Sequence, residues 1–162
     1  TLRYLTTELA PGTTLELLTL NLGEIQGLQT RVQVCTAPGH RRWREIIPVI
    51  VKGADCVVFV ADSQIKRVGP NLDSLYDFRT SEERKADSSD AAKPVVYQFN
   101  KVDLPETVEP SRLAEILGVG DAPYFTTVAL QGIRVYQPLQ AAIEQAIRTA
   151  NPLTTHEIRS PA

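Results

Sequence analysis

Residues 97–104, Tyr97-Gln98-Phe99-Asn100-Lys101-Val102-Asp103-Leu104, join an apolar run to a polar loop, and the rest of the chain is read from this junction. The Asp103 carboxylate can accept two hydrogen bonds side by side, which suits the ring N–H and exocyclic amine of guanine and has no counterpart on adenine. The Asn100 amide can bond the imidazole-side nitrogen of such a base and can also brace neighbouring loops. The Lys101 stem is long enough to lie over a purine or ribose face. A site made of such pairs rejects the wrong base because its own polar groups are then left unpaired. A solvated turn is the competing reading, and the strand-then-loop context favours a ligand site.

Outward from that junction, apolar strands alternate with helical stretches. Residues 55–61 (DCVVFVA) form a continuous apolar run, which predicts a strand buried on both faces. Residues 70–80, opened by Pro70 and carrying Leu72, Leu75, Tyr76 and Phe78, predict a helix. A strand at 94–99, a short helix at 110–117, a strand at 124–129 and an amphipathic helix at 134–149 follow. Towards the N-terminus, Leu2, Leu5 and Leu9 share one helical face over residues 1–10, and Pro11-Gly12 stops that helix. Residues 14–22 alternate as a half-buried strand, Gly23 to Gly27 makes a turn, and 30–35 forms the second arm of an antiparallel hairpin. Residues 41–52 can be helical, with Pro48 as an interruption. Ser81 to Lys93 reads as a solvated helix end and loop, and residues 151–162 as a flexible tail. The alternation predicts an α/β layered fold with a mostly parallel sheet, whose ligands bind at the carboxyl ends of the strands.

Composition sets the bounds. At 162 residues, one domain with a sizeable core is expected, and a net charge of -2 argues against nucleic acid or an anionic membrane as the main partner. Cys35 and Cys56 lie in apolar strand-like runs and suggest buried thiols in a reducing compartment, with neither a disulfide framework nor zinc spacing. No run spans a bilayer and no signal peptide opens the chain, so a cytoplasmic location is expected. The absence of methionine, position 1 included, points to a natural start that lies upstream.

Three polar constellations fall at predicted strand ends: Thr36-Ala37-Pro38-Gly39-His40, Asn100-Lys101-Val102-Asp103, and Ala129-Leu130-Gln131-Gly132. Neighbouring strand ends share one sheet edge, so a single ligand could touch all of them. Arg41, Arg42, Trp43 and Arg44 come directly after His40, and Trp and Arg are enriched at binding hot spots. Core packing of Trp43 beside solvated arginines is the alternative there.

The segments LNLGEIQG (20–27), TAPGH (36–40), KGADCVVFVADSQI (52–65), NKVDL (100–104) and TVALQGIRVYQPL (127–139) resemble the Ras-like small GTPases, most closely the bacterial MglA type associated with gliding motility and cell polarity. The resemblance covers most of the chain. It implies a P-loop NTPase three-layer α/β sandwich with one antiparallel hairpin strand, and a small-GTPase-like domain over residues 1–150. It further implies GTP and GDP as ligands with Mg2+, slow hydrolysis of GTP to GDP as a molecular switch, and a roadblock-type partner that accelerates it. Carried over by position, Asn100, Lys101 and Asp103 read guanine. The Ala129 backbone N–H meets the guanine carbonyl oxygen, with Leu130 beside it. The Gly39 N–H senses the γ-phosphate, Thr36 opens the same loop, and His40 stands where a glutamine positions the attacking water. Arg42 and Trp43 fall in the second switch, which meets partners.

Departures from the family pattern lie on the phosphate side. Thr36 replaces the aspartate that usually begins its loop, which makes any grip on metal weaker and indirect. His40 replaces glutamine, and imidazole can orient water in a pH-sensitive way; a solvated loop histidine is the alternative. No GxxxxGK[ST] occurs, and the helix at 1–10 runs almost directly into a strand without the segment that would form the first switch. The expectation is that the natural chain has residues before Thr1 and between Gly12 and Thr13 that supply them. The opposing reading is a degenerate GTPase-like scaffold that binds protein partners without hydrolysis.

Overall fold

The computed structural model describes residues 3–10, 13–25, 28–36, 47–83 and 93–150. The backbone divides into two compact units, Thr1–Ile50 and Val51–Ala162. Strands β1 (Arg3–Ala10), β2 (Thr13–Ile25) and β3 (Leu28–Thr36) form an antiparallel sheet in that order. The β2–β3 hairpin expected from sequence is present, with Leu17 opposite Cys35 and Leu20 opposite Val32.

Two local readings are corrected in this first unit. Residues 1–10 are not helical: Arg3–Ala10 is a strand, with Leu5 opposite Leu17. The helical spacing of its leucines competes with Tyr4, Thr6 and Thr7, whose aromatic and β-branched side chains favour strands, and the long edge of β2 supplies a template. Gly23 does not begin the turn. It sits inside β2 at φ +77, where the register shifts between Asn21 and Gly23. A bulge at a left-handed glycine carries the strand onward to Ile25. Helix α1 (Ile47–Lys52) holds Pro48 in its first turn, where a missing N–H costs no intrahelical bond, and the rest of the expected 41–52 helix lies outside the described residues.

The second unit carries a parallel sheet, β4 (Val57–Asp62), β5 (Val95–Asn100) and β6 (Tyr124–Thr127), with β5 in the middle. Helices α2 (Val68–Glu83), α3 (Pro110–Leu117) and α4 (Tyr136–Ala150) alternate with the strands, and α2 packs on β4 while α4 packs on β5, β4 and β6. Phe99, Leu75, Leu113, Leu117 and Val96 are the large side chains at the centre of this core. Phe99 stacks on Tyr124 with ring centroids 5.1 Å apart, which pins β5 to β6 close to the carboxyl end of the sheet.

Helix α3 shows how tightly this unit is closed. The Glu109 carboxylate caps its N-terminus by accepting from the Arg112 N–H at 3.0 Å, and Pro110 stands in the first turn. Bonds from the Ser111 hydroxyl and the Arg112 N–H hold the Glu109 carboxyl below the usual range. At the other end Gly118 takes the left-handed cap at φ 60, and the Arg79 guanidinium donates to the carbonyls of Leu117 at 3.1 Å and Gly118 at 2.9 Å.

Burial on both faces of β4 does not hold. Val60 is 54% exposed, and among the described residues β4 pairs only with β5. Cys35 and Cys56 are free and half-buried, and burial pushes both thiols up.

Candidate functional site

The parallel register brings Asp62 opposite Asn100 and Asn100 opposite Thr127, so the ends of β4, β5 and β6 present their polar residues along one line. The Ser63 N–H donates to the Asn100 carbonyl at 2.9 Å and extends this ladder past the strand ends. Immediately beyond, Lys101 adopts φ 65, and the Leu104 N–H closes the turn on the Lys101 carbonyl at 3.2 Å. A non-glycine residue in that left-handed region costs about 1–3 kcal/mol and persists where surrounding contacts over-determine it.

The contacts at Asn100 fix which way its amide points. Its Oδ1 accepts from the Ala129 backbone N–H at 2.9 Å and from the Thr127 hydroxyl at 3.1 Å. A backbone N–H can be met only by an oxygen, so the partner itself assigns the amide and leaves Nδ2 as the donor for a ligand. Thr127 is fully buried, and its hydroxyl also accepts from Gln98 Nε2 at 3.1 Å. A relay from Gln98 through Thr127 thus orients Asn100. Thr127→Val, which keeps the shape and removes the hydroxyl, is expected to cost about 1–3 kcal/mol, measured as a lower urea midpoint at unchanged m-value.

The loop after β6 is closed on itself. Val128 and Ile133 exchange backbone hydrogen bonds at 3.1 and 3.0 Å around Gly132, which takes φ 70. Leu130, at the tip, is 99% exposed. From the same loop Gln131 Nε2 donates to Asp103 Oδ2 at 3.3 Å, so the Asn100–Asp103 and Ala129–Gly132 constellations meet at two points. The Ala129 N–H, expected on a base carbonyl, is here given to Asn100, so a base must share or exchange that bond.

Lys101 is tied to a residue that the sequence reading did not single out. Its Nζ lies 2.8 Å from Asp62 Oδ2, and Arg67 Nε is 3.9 Å from the same oxygen. Burial alone would raise the Asp62 carboxyl; the bonds from Lys101 and the Gln64 N–H, with the charges of Lys101 and Arg67, outweigh it and hold the group below the ordinary value. A depressed folded-state pKa stabilises the fold in full above the unfolded carboxylate value of about 3.9, and that contribution is lost as pH falls through the lower folded value.

Of the sequence-predicted residues, the structure gathers Asn100, Lys101, Asp103, Ala129 and Leu130 at one sheet edge. Thr36 ends β3 in the other unit and is exposed. Gly39, His40, Arg42 and Trp43 lie outside the described residues. Among the described residues no three His, Cys, Asp or Glu side chains gather to hold a metal. The reading from sequence missed Gln98, Thr127 and Asp62, and gave Gln131 no role of its own within its constellation. Only Asp62 carried a usable signal, a carboxylate at the last position of an apolar run parallel to the one ending at Asn100.

No protein-family model matches the chain. It is 37% identical over 126 residues to the mutual gliding-motility protein MglA of Myxococcus xanthus, an alignment covering 78% of this chain and 64% of that protein. It is 30% identical over 125 residues to the Ras-related protein Rab-7a of Dictyostelium discoideum, covering 75% and 61% of the two chains. With the Ras-related protein Rab7 of Drosophila melanogaster the identity is 30% over 118 residues, covering 72% and 56%. The chain therefore spans less than two thirds of the length of these curated relatives. No helix among the described residues is long and apolar enough to cross a membrane. A three-stranded parallel sheet, an Asn-Lys-x-Asp turn braced by the loop after β6, and these likenesses point the same way: the chain is related to the Ras-like small GTPases, MglA and Rab7 among them.

Proposed function

We propose that the chain supplies the base-reading part of a guanine-nucleotide switch that hydrolyses GTP to GDP, with residues 1–150 belonging to one GTPase domain. The observation that carries this is the amide of Asn100, held by the Ala129 N–H and Thr127 so that Nδ2 is free to donate, with the Asp103 carboxylate on the same loop. Asp103 pairs with the guanine ring N–H and amine, Asn100 Nδ2 with the imidazole-side nitrogen, and the exposed Leu130 and the Lys101 stem cover the base faces. The bound nucleotide supplies the phosphoanhydride that is cleaved. Gly39 and Thr36 serve the γ-phosphate side, and Mg2+ accompanies the nucleotide as in the family.

His40 orients the attacking water. Orientation without proton transfer falls short of the ~10²-fold of full acid–base catalysis, so His40→Ala is expected to slow single-turnover hydrolysis about tenfold with GDP affinity nearly unchanged. The natural full-length protein should release phosphate from GTP and not from ATP. Absence of GTP hydrolysis, with and without an activating partner, would favour the non-hydrolysing scaffold.

Arg42 and Trp43 form part of the surface that meets a roadblock-type regulator. The likeness to a gliding-motility protein favours a role in bacterial motility or polarity. A pull-down of the natural full-length protein loaded with GTP or GDP tests the partner, and Trp43→Ala should weaken a GTP-dependent interaction.

A further inference from the structure

We propose that Asp62 is a positioning residue of the base site, acting through Lys101 to hold its stem in the place where a base is covered. The inference rests on the guanine reading above. The register of β4 on β5 sets Asp62 beside the end of β5, and both carboxylate oxygens are engaged: Oδ2 by Lys101 Nζ at 2.8 Å and Oδ1 by the Gln64 N–H at 3.1 Å. The Asp62 backbone is fastened as well. Its N–H donates to Asn71 Oδ1 at 3.2 Å and its carbonyl accepts from Asn71 Nδ2 at 2.8 Å, with Asn71 buried at 7% exposure.

Exposure decides which partner is fixed and which is recruited. The Asp62 side chain is 14% exposed and that of Lys101 is 50% exposed. The aspartate is therefore the anchor, and the lysine is the arm drawn to it. Lys101 leaves the strand at φ 65, so its ammonium is tied to one strand while its backbone turns off the next. A free lysine would lose rotamer freedom on covering a base, whereas a tethered one has lost it already, and affinity gains by that difference. Arg67 is a subsidiary cation: at 3.9 Å from the same oxygen it is beyond hydrogen-bond distance.

The test is a double-mutant cycle on release of a fluorescent GDP analogue from the natural full-length protein. Asp62→Asn preserves shape and the bond from Gln64 while removing the charge; Lys101→Met preserves the stem while removing the ammonium. Each single change is expected to speed release about fivefold, the upper range for a partly exposed pair. Together they should speed it no more than about fivefold, because both remove the same interaction. Arg67→Gln should stay within about twofold.

A double variant near the ~25-fold product of independent effects, an Asp62→Asn protein that releases at the wild-type rate, or an Arg67→Gln effect equal to that of Asp62→Asn would each overturn the assignment. If Asp62→Asn does not fold, Asp62→Glu is measured in the wild-type and Lys101→Met backgrounds and read by the same coupling. Wild-type protein that never retains the analogue overturns the guanine reading and this inference with it. Retention with independent effects overturns this inference alone.

Discussion

Asp103→Asn is expected to lower GDP affinity by about 10²–10⁴-fold and to move preference toward xanthosine diphosphate. In the proposed site the carboxylate accepts two bonds from guanine, and hydrogen bonds to a charged group contribute about 1.5–3 kcal/mol each. An asparagine there keeps one acceptor and presents one donor, so one guanine bond becomes a donor–donor clash. Xanthine carries a carbonyl in place of the exocyclic amine, and the new amide N–H meets it. Gln131 can still approach the remaining oxygen, which in the native chain it meets at 3.3 Å, so the loop contact survives and the change stays confined to the ligand. Equilibrium titration with both diphosphates reads the outcome. A variant that keeps GDP within tenfold of the wild type, without gaining the xanthine nucleotide, would remove Asp103 from the base site.

Asn100→Ala is expected to weaken GDP binding about a hundredfold and to destabilise the fold by about 1–3 kcal/mol. Two different losses combine. The base loses the Nδ2 donor, and the loop after β6 loses the oxygen that receives the Ala129 N–H and the Thr127 hydroxyl. Asn100→Asp separates them, since a carboxylate retains both acceptor roles toward the loop and offers no donor to the base. Near-native urea stability with strongly reduced GDP affinity is the expected pattern for that variant. Aspartate at this position with wild-type GDP affinity would mean that Asn100 is a structural brace only.

Much of this site was legible in the sequence because its parts are local. Asn100, Lys101 and Asp103 occupy four consecutive positions after an apolar strand, and strand order in a parallel α/β unit then dictates that the loop at Ala129 arrives alongside. What could not be read was which polar side chain supports which. Thr127 and Gln98 look like ordinary strand residues, and only the register that places Asn100 opposite Thr127 reveals the relay. Asp62 is a lone carboxylate until β4 is aligned on β5.

The errors have a common origin in competing short-range signals. Over Arg3–Ala10 leucine spacing suggested a helix, while Thr6, Thr7 and Tyr4 suited the strand that pairs with β2. Gly23 reads as punctuation, although a single glycine inside a strand pattern equally signals a bulge, the role it has in β2. The apolar content of 57–61 predicted two buried faces, yet burial depends on what lies beside a strand, and Val60 is 54% exposed. Periodicity reports local preference; neighbours decide the rest.

The proposed function requires that the ends of β5 and β6 read guanine. Competition of GDP and ADP against a fluorescent GDP analogue, on the natural full-length protein at one magnesium and salt concentration, tests it most directly. A site that leaves the Asp103 carboxylate unpaired with adenine should favour GDP by about 10⁴-fold or more. Equal displacement by GDP and ADP would contradict the account.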